Sequence, residues 1–281
     1  MNIKKINNYQ ALRLIVDYHY SKVMPKLNKL YLGGFYNNKL MAVMTLGWGV
    51  RPLHTIKKLF PSLSSKDYWE IGKLCLADEL PKNSESEFIS QCLKYIKNNH
   101  PKIKLIFTWA DGMLGKVGYV YQASNFLYGG FIWTDTYFSD KGEKIHPRTT
   151  GKIGGRPSEL KQKELGFKHY LGKQFRYCYF LCSKKDKKQL LNESCVQWTI
   201  NYPKEKDLQW KTKKEGSYVF CKKPFYDNKV ASFNDNAVKG IKWVRNNPPL
   251  DKFLNALEVS IADTSDFQSE KMGAIPLQRI S

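Results

Sequence analysis

The chain has 281 residues, enough for one large domain or two small ones with a real core. With 42% hydrophobic and 25% charged residues it is neither fibrous nor disordered, and no apolar run is long enough to span a bilayer. Lys and Arg outnumber Asp and Glu by 46 to 25, a formal net charge of +21 that exceeds what solubility requires.

That surplus attracts polyanions, so nucleic acid is the expected partner. A lysine bias shared with the many Asn and Ile residues, as in an AT-rich genome, is the competing explanation. No apolar segment follows the two lysines of MNIKKINNYQ as it would in a signal peptide, so a cytoplasmic location is expected. Cys75, Cys92, Cys178, Cys182, Cys195 and Cys221 form no CxxC pair and no zinc-like spacing with His. They are expected to be buried, reduced thiols, and no metal site is predicted.

Along the chain, Leu12, Ile15, Val16 and His19 fall at helical spacing and predict an opening helix. YLGGFYNNKLMAVMTLG (31–47) predicts a β-hairpin turning at Asn37–Asn38. Residues 48–68, with Pro52 and Pro61, are expected as an irregular loop, and 69–77 as a strand. A helix is predicted from about Ser84, where Ser84-x-x-Glu87 fits a capping box and Phe88, Ile89, Cys92, Leu93 and Ile96 form a buried stripe. KLIFTWAD (104–111) reads as a central strand, apolar on both faces. A helix at Val117–Ser124 and a strand at 126–138 follow. Residues 140–175 read as a basic surface loop or arm, FRYCYFLCS (175–183) as a returning strand, and 203–250 as lysine-rich without a clear period. After Leu254 the chain reads as a polar tail. The order implies an α/β fold, a mixed sheet flanked by helices.

The stretch WEIGKLCLADELPKNSESEFISQCLKYIKNN (69–99) runs from strand through loop to helix, an arrangement that offers unpaired N–H groups to a phosphate. Its loop has no glycine. An altered cofactor site and a capped helix without ligand both fit these residues.

The ordered set of elements resembles the plan of GNAT acyltransferases. EIGKLCLADELPKNSESEFISQCLKYI resembles their acyl-CoA motif, and the family's tyrosine–alanine–glycine–phenylalanine ending is met by Tyr121, Ala123, Asn125 and Phe126. A closer resemblance is to the Mom-like branch of that fold, phage proteins that modify DNA adenine at N6 and protect it from restriction. It is carried by His19-Tyr20-Ser21 with Pro25, Gly33-Gly34-Phe35, Glu70-Ile71-Gly72-Lys73-Leu74 and Asn83-Ser84-Glu85-Ser86. Trp109-Ala110-Asp111, Tyr121 through Phe126, and the trace from Phe175-Arg176-Tyr177 to Tyr202-Pro203-Lys204 complete it. The resemblance covers about residues 15–204. One departure is Lys73, where the family often has arginine, so the planar fork of a bidentate contact is lost.

The resemblance implies a GNAT-like catalytic domain over 1–204, including the arm 140–175, followed by a basic, aromatic-containing extension over 205–281. It implies an acetyl-CoA or related acyl-CoA cofactor and a carbamoylmethyl-type product. Asp111, Tyr121, His19 and Tyr20 become candidate catalytic residues. Asp111 at a strand end could take a proton from the substrate amine or cap the next helix. Tyr121 could protonate a leaving thiolate or be a half-buried aromatic. His19 could be a base, a metal ligand, a contact to the target base, or structural. Lys73, Leu74, Ser84, Ser86 and Asn125 are the candidate cofactor-binding set, with the serine hydroxyls standing where glycine would expose backbone. Trp48, Trp109 and Tyr128 are candidates to stack on an extruded base. His54, His100, His146 and His169 are expected at the surface. Arg148, Lys152, Arg156, Lys161 and Lys163 are expected to contact phosphates, and Gly155-Arg156-Pro157 weakly resembles an AT-hook. Two alternatives stay open: a catalytically inactive GNAT-like nucleic-acid-binding protein, and an acyltransferase for another modified base or a small amine. The oligomeric state is not legible in the sequence.

Overall fold

The computed structural model describes residues 1–225 apart from 22–23, 26, 50–51, 143, 146–158 and 215; at 52–54, 145, 159, 161 and 163 it describes only the backbone. Arg148, Lys152 and Arg156, the AT-hook-like triplet, the polar tail, and the side chains of His54, His146, Lys161 and Lys163 therefore lie outside the described residues.

The elements in chain order are β1 (Asn2–Lys5), α1 (Asn8–Tyr18), β2 (Asn28–Tyr36), β3 (Lys39–Gly47), α2 (Pro52–Leu59), β4 (Tyr68–Leu76), α3 (Ser84–Asn99) and β5 (Leu105–Asp111). A 3₁₀ turn (Gly112–Leu114) leads to α4 (Tyr119–Ala123), β6 (Leu127–Ser139), β7 (Lys144–Ile145) and α5 (Glu159–Glu164). Then come β8 (Phe167–Phe180), α6 (Lys184–Glu193), a second 3₁₀ turn (Glu205–Asp207), β9 (Trp210–Lys214) and β10 (Ser217–Cys221). The strands form one mixed sheet in the order β1-β2-β3-β4-β5-β8-β6-β7, with β9 on β8 and β10 on β9. The fold is thus α/β with helices on both faces.

The β2–β3 turn shows how local chemistry sets structure. Asn37 (φ 48°) and Asn38 (φ 62°) both take left-handed backbone, as a two-residue turn with the twist of a hairpin demands. On one face, Phe88, Ile89, Cys92, Leu93 and Ile96 of α3 pack with Leu32, Met44, Trp69, Ile71 and Ile106 of the sheet. Burying a side chain such as Phe88 contributes about 2 kcal/mol. The other face is covered by two clusters. Ala11, Leu14 and Ile15 of α1 pack on Val43 and Cys75, while Ile56, Leu59 and Phe60 pack on Tyr68, Leu105 and Phe107.

Two features of this sheet create an opening. β4 and β5 run parallel and pair only at Tyr68–Leu105, Trp69–Ile106 and Glu70–Phe107. Beyond Glu70 the two strands part. On the other edge of β4, Thr45 of β3 faces Lys73 and Leu46 faces Ile71, so Gly72 is an extra residue, a β-bulge. A Cβ at Gly72 would lie 2.8 Å from the Pro25 ring, which is why a glycine bulges here. The bulge bends β4 at the point where it leaves β5.

Several expectations are corrected. Residues 52–59 are a helix rather than loop, because Pro52 occupies its first turn, where proline is tolerated. The returning strand β8 begins at Phe167, so residues 167–175 belong to the sheet and not to a basic arm. Ser84 and Glu87 form no capping box: Asn83 precedes α3 in left-handed backbone (φ 71°) with no side-chain cap. Cys195 is exposed and Cys182 and Cys221 are half-buried, whereas Cys75, Cys92 and Cys178 are buried; all six are free thiols. His169 is not a surface residue, since its ring is buried and its Nε2 lies 2.8 Å from Asp135 Oδ1. His100 is half-buried, with its ring centroid 4.8 Å from that of Trp69. Strands β9 and β10 extend the sheet within the lysine-rich region.

Candidate functional site

The opening between β4 and β5 is a cleft of about 720 Å³. Its walls are Ile71–Leu76 of β4, Trp109–Asp111 of β5, the segment Gly115–Tyr121, and Asp17–Tyr20 at the end of α1. It gathers His19, Tyr20, Lys73, Leu74, Asp111 and Tyr121 from four separate stretches of chain.

Each of these side chains is held by identifiable contacts. α1 stops at Tyr18, and His19 turns to extended backbone (φ −87°), which directs its ring inward to 8% exposure. His19 Nδ1 lies 2.9 Å from both the N–H and the carbonyl oxygen of Ser21, so the Ser21 backbone orients the ring in either tautomer. Burial, and next the charge of Lys73, push the imidazole pKa down to about 2, so His19 is neutral at any physiological pH. Its ring stacks on Tyr20, centroids 4.3 Å apart. Lys73 Nζ donates to Ser21 O at 3.0 Å and so ties β4 to the His19–Ser21 turn. This is a single-donor contact, which an ammonium serves without the fork of a guanidinium. Burial, with nearby Lys144 adding, lowers the Lys73 pKa to about 7. Lys116 Nζ sits 4.6 Å over the Tyr20 ring, its pKa also lowered by burial.

Asp111 closes β5. Its Oδ1 accepts the Met113 N–H at 3.1 Å and caps the 3₁₀ turn, while its Oδ2 pairs with Lys144 Nζ at 2.9 Å. Asp111 thus caps the turn, one of its two expected roles, and also lines the cleft. Tyr121 is held by α4, which Gly118 opens in left-handed backbone (φ 91°); a Cβ there would meet Tyr177 at 2.6 Å. Burial raises the Tyr121 pKa above its usual 10, against an opposing hydrogen bond with Thr108. Glu70, at the vertex of the opening, is also raised by burial, to about 7, and its charge acts on Tyr121.

Ser84, Ser86 and Asn125 are not part of this cleft. They line a second cavity, also of about 720 Å³, between α3 and the turn after α4, together with Lys82, Lys94 and Lys97. Ser84 is buried, and Ser86 Oγ donates to Asn83 O at 3.0 Å. The start of α3 separates the two cavities, because Glu85 lines the cleft while Ser84 and Ser86 line the groove. Of the three stacking candidates, Trp109 lines the cleft. Trp48 instead carries Lys29 Nζ 4.0 Å over its ring, and Tyr128 packs on Phe175 and Tyr177.

Lys116, Lys144, Glu70 and Thr108 were not singled out from sequence. Glu70 carried a signal, a carboxylate inside an otherwise apolar strand. Lys144 carried none, since β7 brings it to Asp111 from 33 residues away. Among the described residues no three His, Cys, Asp or Glu side chains cluster as a metal ion requires, and no helix is long and apolar enough to cross a membrane.

Residues 1–204 match the model of the Mom protein family. The chain is 31% identical over 194 residues to the protein named methylcarbamoylase mom of Escherichia phage Mu, covering 68% of this chain and 79% of that one. Among solved structures it is similar to an aminoglycoside 6′-acetyltransferase type Ii, with 9% identity and a TM-score of 0.38 over 66% of this chain and 99% of that one. An N-acetyltransferase from Staphylococcus aureus Mu50 gives 14% identity and a TM-score of 0.35 over 64% of this chain and 97% of that one. The match over 1–204 takes in β4, β5 and every wall of the cleft except Glu205. The chain belongs to the Mom protein family.

Proposed function

We propose that the chain modifies the N6 amine of adenine in DNA by acyl-derived transfer from a coenzyme A thioester, protecting the DNA from restriction, with the β4–β5 cleft as the active site. The observation that carries this reading is the gathering of His19, Tyr20, Lys73, Asp111 and Tyr121 where two parallel strands part. Family membership and the name of the phage Mu relative supply the substrate class.

The residues present fit an acyl-CoA. Past Glu70 the β5-facing edge of β4 has no strand partner, so its backbone groups can hold an extended amide arm. The first turn of α3 has no side-chain cap; the Ser84 N–H donates to Pro81 O, and the N–H groups of Glu85 and Ser86 are left for an anion. Glu85 and Glu87 of the same turn would oppose a phosphate; Glu87 Oε1 is bound by the N-terminal amine at 2.7 Å, while Glu85 lines the cleft, so the anion must be met by backbone N–H groups rather than by the side chains of this turn. The bound thioester supplies an activated carbonyl carbon and a thiolate leaving group.

The chain's own residues then act on the amine, whose lone pair is delocalised into the purine ring. The base must leave the stack to reach the cleft, and Trp109 offers a ring in its wall. Asp111, held by Lys144, accepts a proton from N6 through its remaining lone pairs. Tyr121 keeps its proton at neutral pH and can donate it to the leaving thiolate. Neutral His19 positions Tyr20 and does not titrate in this range.

Mass spectrometry of total nucleosides from the DNA of cells expressing the chain tests this reading. Adenine carrying an added acyl-derived group is expected, with a carbamoylmethyl-type mass as the product the family reading implies; a plain acyl mass would instead mark simple transfer to N6. Unmodified adenine overturns it in favour of a binding protein without catalysis.

A further inference from the structure

A second surface lies on the sheet extension, and none of its residues lines the cleft. β9 pairs with β8 beyond the end of β5, and β10 forms the outer edge. Directly opposed residues of antiparallel strands share a face. Trp133 faces Lys173, Leu171 faces Lys211, and Lys211 faces Phe220, so one continuous face crosses β6, β8, β9 and β10. Tyr218, opposite Lys213, lies on the same face.

On this face rings and ammonium groups alternate. Lys173 Nζ sits 4.4 Å over Phe131, and Lys211 Nζ sits 4.4 Å over Trp133 and 4.8 Å over Phe220. The outer rings are open to solvent: Phe220 is 64% exposed, Tyr218 46% and Phe131 38%. Among the described residues Lys211 has no carboxylate within 4.0 Å, and its ammonium lies against the rings of Trp133 and Phe220; Asp135, opposite Leu171 on the same face, is engaged by His169 Nε2 at 2.8 Å. Exposed aromatics in a row on an edge strand are costly in water unless a partner covers them. A partner here must offer flat π-faces and negative charge together. Unpaired nucleotides do so, whereas a duplex hides its base faces in the stack.

We propose that this face binds a single-stranded segment of DNA, with bases stacking on Phe220, Tyr218 and Phe131 and phosphates meeting Lys211 and Lys213. The inference rests on the reading of DNA as substrate. It adds a holding surface for the strand around an extruded base, built from the hairpin at 210–221, which lies beyond the 204 residues matched by the family model.

Fluorescence anisotropy of labelled single-stranded and duplex oligonucleotides on the full chain tests it. Phe220→Ala and Tyr218→Ala change exposed rings and are expected to leave the melting temperature unaltered. Each should weaken single-strand binding about tenfold while changing duplex binding less than twofold. Lys211→Gln should lower the salt slope of single-strand binding by about one. Unchanged single-strand affinity in all three variants, or an equal loss on duplex and single strand, overturns the proposal while leaving the DNA reading intact. Wild-type chain that binds neither oligonucleotide at low salt overturns both.

Discussion

Asp111 caps a turn and faces the cleft, and two substitutions separate these roles. Asp111→Asn keeps an oxygen for the Met113 N–H but loses the charge that Lys144 balances. It is expected to abolish adenine modification while changing stability by less than about 1 kcal/mol, as nucleoside analysis and thermal melting would show. Asp111→Ala should lose both activity and about 1 kcal/mol of stability; an active Asp111→Asn enzyme would remove the carboxylate from the chemistry. Lys73 and Glu70 give a second test at this scale. The Lys73 pKa is lowered from 10.5 to about 7, so between those values the unfolded chain binds more protons and stability rises with pH. The Glu70 pKa is raised from 4.5 to about 7, so between those values the folded chain binds more protons and stability falls with pH. His19 works against Glu70: its pKa is lowered from 6.5 to about 2, so between those values the unfolded chain binds more protons and stability rises with pH, which leaves the net dependence of these groups nearly flat between 4.5 and 6.5 and the rise above pH 7 to Lys73. In melting curves taken from pH 4 to pH 10, Lys73→Met should flatten the alkaline limb, and Glu70→Gln should unmask His19 as a rise in stability from pH 4 to about 6.5; an alkaline limb that persists in Lys73→Met, or an acid range unchanged in Glu70→Gln, would assign the dependence to other groups. At this scale the sequence shows residue types. Asp111 at the end of an apolar strand and His19 at the end of an amphipathic helix stand out because each interrupts its pattern. Lys144 stands in no pattern, because its role exists only through pairing across 33 residues.

At the scale of elements, the start of α3 shows how a correct helix can begin for an unexpected reason. Ser84-x-x-Glu87 has the composition of a capping box, but Ser84 is already helical and buried, and the chain enters through Asn83 at φ 71°. Asparagine tolerates that conformation and alanine does not, so Asn83→Ala should cost about 1 kcal/mol in denaturant melts, with Asn83→Gly near neutral. Equal stability of the two variants would mean that the turn relaxes. Ser86→Asp probes the anion reading of the same turn. An acidic residue in a first turn is worth about 0.3–1 kcal/mol, partly offset here by losing the hydroxyl donation to Asn83 O at 3.0 Å. The melting temperature should therefore hold, while binding of an acyl-CoA, measured by calorimetry, should be lost; a variant that binds like wild type would leave this turn without a phosphate. α3 is legible because its apolar spacing decides which face is buried, and β3 and β5 because their continuous apolar runs mark strands covered on both faces. α2 is hidden by reading Pro52 as a breaker when it sits in a helix's first turn, and β9 by its run of lysines, which has no apolar face to read.

The whole molecule joins two things that no single element contains: an opening made by strands that part and a charge that surrounds it. The opening depends on where pairing stops, at Glu70 and Phe107, and on the Gly72 bulge, so it follows from register and not from local sequence. The charge, by contrast, is fully legible at +21. Lysines reach into the cleft itself, where burial lowers the proton affinity of Lys73 and Lys116, and they rim the groove at Lys82, Lys94 and Lys97. On the proposed reading, a chain of this net charge attracts DNA as a whole, although the cleft lining itself sets Asp17, Glu85, Asp111 and Glu205 beside Lys73 and Lys116, and each phosphate neutralised releases counterions. Each neutralised phosphate steepens the plot of log affinity against log salt by about −0.9 on duplex DNA. Four or more contacts would give a slope of about −4 or steeper. Anisotropy titrations between about 50 mM and 200 mM salt are expected to show at least this steepness for the wild type and the same slope for Asp111→Asn, whose charge change lies inside the cleft. A flat dependence would mean that the lysine surplus faces solvent without a polyanion partner, and that DNA, if bound at all, is held by the cleft alone.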